Sequence, residues 1–542
     1  MLLNRKPVLQ LNATDKTALL SSVLFMCLTH AYRWMNSMYS HDSLMVLQAD
    51  GGYQIALGRF LNPVYVWIRG YLAAPFLIAV LSTLFMAFAV MLMVRILGLR
   101  TRIAVILTAG LTTAFESIAF LNATYIQWLD IQLLSVLLAA AAAWFMTVST
   151  ARFRFPAAVL CCTASLGLYQ SSIETALMLV CLYYLRKVLT GAPGKEMVQD
   201  RLPPSGSDEG KGKKIDGKRD GKESRRLLAV CGSFVLAGLL YYICVRTVCA
   251  VTGNDPVDNY NGLVQVTRIS LPALPALIGK AWVYPFHYLL HSEIAHRKIS
   301  AWLYIATGVL ALSGILHLGR ERKLSGKRWI LTGVILLAAP LASNVTWVLT
   351  QGMKHGLMTF SFSLYAAGAL MVLELCSRNA CRETAAAVFC GILIFNHIVF
   401  ANQIYTRKDL EIQAGRAFMN RLTERMEETP GYEVGRTKVA ILGNIDENPV
   451  SHTMIGFQIV DDQYVGTRHH LGPSYYDTYS VYFEYMLEYP IRLSSKEELI
   501  SWTYDPEVQS MPVFPAEGSV RMIGDTLVIR LSESLQMEGI SY

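Results

Sequence analysis

Four carboxylates stand beside apolar runs: Asp42 and Asp50 at the two ends of "DSLMVLQAD", Glu116 in "TTAFESIAF" and Asp130 in "YIQWLDIQLL". An acid near the end of an apolar helix is costly to keep there, so each is a candidate for proton transfer or for holding a polar ligand. Arg59 and Arg69 follow in "YQIALGRFLNPVYVWIRGY". That mixture of aliphatic residues with Tyr65, Trp67 and arginine suits a helix lying in a membrane interface, where a polar group meets a lipid headgroup. With Ser43–Ala49 helical, Asp42 and Asp50 lie roughly 12 Å apart along the axis, too far to share one proton.

Each candidate also has a plain structural reading. Asp42 before "SLMV" fits a helix N-cap, as does Asp15 before the first apolar run, and Asp50 before Gly51–Gly52 fits a turn. Arg59 and Arg69 fit interfacial snorkels. Glu116 and Asp130 fit a structural ion pair as well as they fit catalysis. Glu174, after the "LYQSS" stretch, fits an acid favoured at a helix N-terminus.

The elements that must position these residues belong to a membrane protein. The chain has 542 residues, 53% of them hydrophobic and 16% charged, too apolar for a soluble protein of this length. Candidate spans fall at 17–35, 75–97, 102–121, 128–149, 227–250, 299–318, 329–350, 357–376 and 384–401. The apolar run of the first, Thr17 to about Tyr32, is followed by Arg33 and Trp34 rather than a small-residue cleavage site, so it reads as a retained helix with a cytoplasmic N-terminus. The net charge of +8 sits in short basic segments between spans, a positive-inside signature that argues against a nucleic-acid partner. Phe155–Lys187 is basic at both flanks and polar in the middle, at Gly167–Ser172. Two short helices broken there keep both flanks inside, giving about eleven crossings.

Residues 1–401 therefore read as a transmembrane domain, with a first outer loop over 34–74 and a disordered, Gly- and Lys-rich cytoplasmic loop over 191–226. Residues 402–542 read as a small extracytoplasmic α/β domain, with a helix over Lys408–Glu428, a strand over Thr437–Asn444 and a hairpin turning at Gly524–Asp525. The ten cysteines read as small buried hydrophobes. No phosphate loop, dinucleotide fingerprint or zinc signature is present. His287, His291 and His296 read as an interfacial stripe beside Lys280.

Several motifs point to a family. "HDSLMVLQADGGYQIALGRFLNPVY", the Pro-started "APFLIAVL", "FES", "LGLYQSSI" and the closing "MPVFPAEGSVRMIGDTLVIRLSES" resemble the bacterial O-antigen serotype-converting type II glucosyltransferases. The resemblance implies a C-type glycosyltransferase fold. It implies transfer of a sugar, glucose by the family's name, from a polyprenyl-phosphate carrier to a cell-surface glycan acceptor on the outer face. It also implies an acid of the first outer loop as general base, a place that Asp42 takes; Asp50 and Glu116 are the further catalytic candidates. Where two adjacent acids are expected, this chain has His41–Asp42, which leaves one carboxylate at the motif.

The residues suit that chemistry. A carboxylate can take the acceptor's proton, and a bidentate arginine can stabilise a departing phosphate. Arg59 is the first choice for the phosphate, with Arg69 and Lys280 in reserve; Asp130, Tyr169 and Gln170 complete the substrate-binding set. No cofactor is expected, and a divalent metal has no ligand cluster to support it. A lipid-linked glycan transporter or flippase would instead show internal repeats and ionisable groups at mid-membrane, and an accessory envelope protein would work through its outer domain.

Overall fold

The computed structural model describes residues 11–36, 38–39, 51–71, 73–190, 216–256, 269–291, 295–376, 380–450 and 476–537. Asp42, Asp50, the expected helix Ser43–Ala49 and most of the 191–226 loop lie outside these residues.

Helix α1 (Ala13–Met35) is capped by Asn12, whose side chain accepts from the Asp15 backbone N–H while the Asp15 carboxylate accepts from that of Asn12. Asp15 is thus the third residue of a reciprocal cap, not the cap itself as the sequence suggests. Two short helices follow, α2 (Gly51–Ala56) and α3 (Asn62–Ile68). Helix α4 (Pro75–Leu97) opens on proline and closes on Gly98 at φ +64°, the usual way to start and stop a helix sharply.

The expected third span is two helices, α5 (Arg102–Thr113) and α6 (Glu116–Thr124), followed by α7 (Ile126–Thr147). The polar break read at Gly167–Ser172 is present: α8 (Arg154–Leu168) ends there, Gln170–Ser172 forms a 3-10 turn, and α9 (Ile173–Thr190) begins. Then come α10 (Asp216–Thr252), α11 (Leu274–Leu290), α12 (Ala295–Glu321), α13 (Gly326–Ala342) and the short α14 (Val345–Leu349). Two 3-10 turns, Gly356–Met358 and Phe360–Phe362, lead into α15 (Ser363–Leu375) and the long α16 (Ala380–Glu427). Helix α11 is absent from the sequence reading because Lys280 and the internal Pro285 interrupt its apolar run. The expected span 329–350 is likewise interrupted, at Ser343–Asn344.

Six helices among the described residues are long and apolar enough to cross a membrane, which marks a polytopic membrane protein. Their basic flanks gather at one end of the bundle. Arg95 grips Asp15 with two hydrogen bonds of 2.8 and 2.7 Å, Glu374 accepts from the backbone of Arg100 at 2.6 Å, Arg322 donates to the Leu189 carbonyl at 3.2 Å, and Arg226 donates to that of Thr147. Between the ends, α4 and α7 pack through alanine, valine and methionine, small or pliable residues that let helices approach closely. All ten cysteines are free, and Cys27, Cys231 and Cys381 face outward rather than inward as read from sequence, a placement that lipid tolerates.

Beyond the bundle a four-stranded sheet is ordered β2 (Arg492–Leu493), β1 (Lys438–Leu442), β4 (Thr526–Arg530), β3 (Val520–Ile523). Strand β1 runs parallel to β2 and β4, and β3–β4 is the expected hairpin, with Gly524 at φ +61° in its turn. Helix α16 crosses residue 401 without a break. Its Phe400 and Ile404 share one core with Phe418, Leu422 and Met426, with strand residues such as Ile441 and Val528, and with Met38 and Tyr39.

Candidate functional site

The end of the bundle opposite the basic flanks collects most of the residues singled out from sequence. Helix α3 carries Asn62 and Tyr65 with Arg69 just after it, a spacing of three and four residues that aligns them on one face. The Tyr65 hydroxyl donates to Asp130 Oδ2 at 3.0 Å, while Arg69 Nη1 donates to Asp130 Oδ1 at 2.5 Å and to the Gln127 carbonyl at 3.0 Å. Both charged side chains are buried, 3% and 0% exposed. Burial first, and the Asp130 charge second, raise the Tyr65 pKa, so the phenol stays protonated and donating.

Arg59 follows Gly58, whose φ of +81° turns the chain out of α2. Its guanidinium lies over the Tyr169 ring, 5.0 Å from the centroid, with Nη1 3.4 Å from Gln54 Oε1. The α8–α9 break receives this segment. Leu61 N–H donates to the Gly167 carbonyl at 3.0 Å, and Gln170 Nε2 donates to the Leu57 carbonyl at 2.7 Å and to the Tyr241 hydroxyl at 3.0 Å. Gly167 is needed here, since an added Cβ would meet the Phe60 ring at 2.7 Å. Arg59, Arg69, Asp130, Tyr169 and Gln170 are therefore brought together. Among the described residues no carboxylate pairs with Arg59, whereas Arg69 is already held by Asp130.

Glu116 opens α6, buried at 4% exposure and within electrostatic reach of Tyr284 on α11. Lys280 is exposed on α11 and stands outside this gathering. His287 and His291 stack on each other with ring centroids 4.6 Å apart. Among the described residues no group of three or more His, Cys, Asp or Glu could hold a metal ion.

The sequence reading missed a second buried pair. Lys354 Nζ donates to both Glu174 oxygens, at 3.0 and 2.7 Å, and to Asn344 Oδ1 at 2.6 Å. Glu174 also accepts from the backbone and hydroxyl of Thr346, at 2.9 and 2.5 Å. Both side chains are 0% exposed. This knot ties the start of α9 to the α13–α14 break and to the loop after α14. The signal was there: Lys354 is a lone basic residue in "TQGMKHGL", on the side the positive-inside reading leaves poor in lysine. Arg33 was missed too; it is 1% exposed and donates to the carbonyls of Asn122, Asn36 and Met38 at 3.0, 3.2 and 2.8 Å.

Residues 31–373 match the family described as glucosyl transferase GtrII. The chain belongs to that family. No curated protein and no solved structure matches it. As a member of this glucosyl transferase family it is a membrane glycosyltransferase, served by a sugar donor and a glycan acceptor. The matched span contains Arg59, Arg69, Asp130, the α8–α9 break and the Glu174–Lys354 pair, and it ends before α16 and the sheet. In this GtrII glucosyltransferase the match spans both ends of the bundle, and the far end is the candidate active site because it gathers the polar residues Arg59, Arg69, Asp130, Tyr169 and Gln170.

Proposed function

We propose that the protein transfers a glucosyl group from a polyprenyl-phosphate carrier to a cell-surface glycan, on the outer face of the cell membrane. The basic end is then cytoplasmic together with the N-terminus, the far end is extracytoplasmic, and the chain makes about eleven crossings in a C-type arrangement. Helix α11 leaves the sidedness unchanged in this reading, because its Ala281 carbonyl accepts from Asn344 at the α13–α14 break and its Tyr284 ring stacks near Trp347, 4.1 Å away. Residues 402–542 lie outside, where they can meet the acceptor.

The observation that carries the reading is Arg59, an arginine without a carboxylate partner among the described residues, presented on the Tyr169 ring at the end where the chain's helices break. In the reaction Asp42 takes the proton of the acceptor hydroxyl, and the oxygen attacks the anomeric carbon. The bond from that carbon to the phosphate oxygen breaks, and Arg59 receives the leaving phosphate with paired hydrogen bonds. Arg69 and Asp130 hold α3 in place for this step, and Gln170 holds the segment before it. Asp50 and Glu116 remain secondary candidates for the base.

Membranes containing the protein, given labelled polyprenyl-phosphate-glucose and the acceptor glycan, should transfer the label. Asp42→Asn at equal protein level should lower the rate by about 100-fold or more, the usual contribution of a general base. Transfer by that variant at the wild-type rate would remove Asp42 from the role.

A further inference from the structure

Arg33 stands in the last turn of α1 with its charge inside the protein. Among the described residues no carboxylate faces it. Its guanidinium donates in three directions: Nε to the Asn122 carbonyl of α6, Nη1 to the Asn36 carbonyl and Nη2 to the Met38 carbonyl. A buried cation without a counter-charge is costly to keep, and three separated carbonyls call for the planar fork of an arginine rather than the single nitrogen of a lysine. Two of those carbonyls belong to the chain leaving α1, at the start of the first outer loop. The third belongs to a helix held by its own buried network. Asn122 Nδ2 donates to the Tyr405 hydroxyl of α16 at 3.1 Å, and His30 of α1 bridges that hydroxyl and the Thr113 carbonyl at the end of α5, at 2.7 and 3.1 Å. The start of the loop is therefore tied to a frame of four helices.

A second hold comes from beyond the bundle. Tyr39, 6% exposed, donates its hydroxyl to that of Tyr482 at 3.0 Å, with the two rings edge to face and their centroids 5.6 Å apart. Met38 beside it lies in the core shared with the sheet. Met38–Tyr39 is gripped by Arg33 from one side and by Tyr482 from the other. Arg33 is not placed to receive the leaving phosphate, since each of its three nitrogens already donates to a carbonyl and water scarcely reaches it. We propose that Arg33 is a positioning residue for glucosyl transfer, fixing with Tyr482 the point from which the first outer loop departs, and with it the reach of the acid that the loop carries. This role rests on the function stated above, in which that acid is the base. It gives the residues after 373, beyond the family match, a part in the reaction. A misplacement of about 1 Å arising far from the reacting atoms can cost on the order of 100-fold in rate.

The test separates kcat from KM in membranes holding the full chain, with polyprenyl-phosphate-glucose as donor and rates taken per folded protein. Arg33→Met should lower kcat by about 10- to 100-fold and leave the donor KM at the wild-type value. Arg59→Met, at the phosphate, should raise the donor KM by about tenfold. Where Arg33→Met does not fold, the two tyrosines decide, because each loses only a hydroxyl. Tyr39→Phe and Tyr482→Phe should each lower kcat a few-fold with little change in the unfolding midpoint, and the double variant should be no slower than either alone, since all three lack the same hydrogen bond. Wild-type kcat in folded Arg33→Met, or in both tyrosine variants, would overturn the positioning role. So would a rise in donor KM at Arg33→Met matching that of Arg59→Met, which would make Arg33 a phosphate ligand. Either result leaves glucosyl transfer standing. Wild-type membranes that transfer nothing from this donor would overturn the function itself, and the positioning role with it.

Discussion

The two ends of the helix bundle use charge in opposite ways. At the basic end the charged groups sit at helix boundaries: Asp15 completes the cap of α1 and accepts Arg95, and Glu374 accepts the backbone N–H groups of Arg100 and Thr101 at the start of α5. At the far end the charges are set into interruptions of the helices, where Thr346 and Lys354 converge on Glu174 and Asn344 accepts from Lys354. A helix terminus leaves backbone groups unpaired in any case, close to water. A break deeper in the bundle exposes the same groups where only protein can satisfy them, so side chains must be spent on it. Boundary charges therefore trim a helix, whereas break charges hold a site open.

The largest contrast should come from Glu174→Gln, which leaves the Lys354 ammonium buried without its counter-charge. Breaking a buried pair from one side costs about 3–5 kcal/mol. The detergent-solubilised protein should lose thermal stability sharply, seen as a lower unfolding midpoint. The double replacement Glu174→Gln with Lys354→Met removes both charges and should recover much of the midpoint. Because the knot also fixes the α8–α9 break, the recovered protein should still transfer sugar more slowly than wild type. A double variant with full activity would reduce the knot to a structural pin.

Much of the bundle was legible in the sequence, for a physical reason: a span must be apolar over its length, and the basic flanks mark one side. The hairpin broken at Gly167–Ser172 was readable because a single crossing would have left one of its two basic flanks outside. The β3–β4 turn was readable from Gly524–Asp525. What could not be read is pairing across distance. Glu174 and Lys354 are 180 residues apart in the chain, and each alone looks ordinary: an acid at a helix start and a lysine in a loop. Asp130 and Arg69 were each singled out as substrate-binding, yet only the fold makes them partners of one another. The break at Ala114–Phe115 was hidden for a different reason, since "TTAFES" has no proline or glycine to mark a helix stop.

A middle effect is expected at Arg69→Met, which strands Asp130 but leaves it the Tyr65 hydroxyl and the Ile131 backbone N–H, at 3.0 Å each. Those donors, and the option of protonating the acid, should hold the loss to about 2–3 kcal/mol. The readout is again the unfolding midpoint, with donor KM measured beside it. Loss of the midpoint without a change in KM would separate the α3 anchor from the donor site. A rise in KM matching that of Arg59→Met would instead make Arg69 a second phosphate ligand.

The smallest effect should be Arg95→Met at the basic end. Arg95 is partly exposed, 21% against 1% for its partner, so water reaches the guanidinium and can reach Asp15 in its place once the arginine is shortened, which should hold the loss to about 1 kcal/mol. Asp15 also keeps its hydrogen bond from the Asn12 backbone N–H, at 2.9 Å, and its favourable place in the first turn of α1. The midpoint should fall by a degree or so relative to the Glu174→Gln variant's much larger drop, and donor KM should not change. A loss at Arg95 as large as the one at Glu174 would erase the distinction between the ends, because a boundary charge would then be as deeply committed to the fold as a charge built into a break.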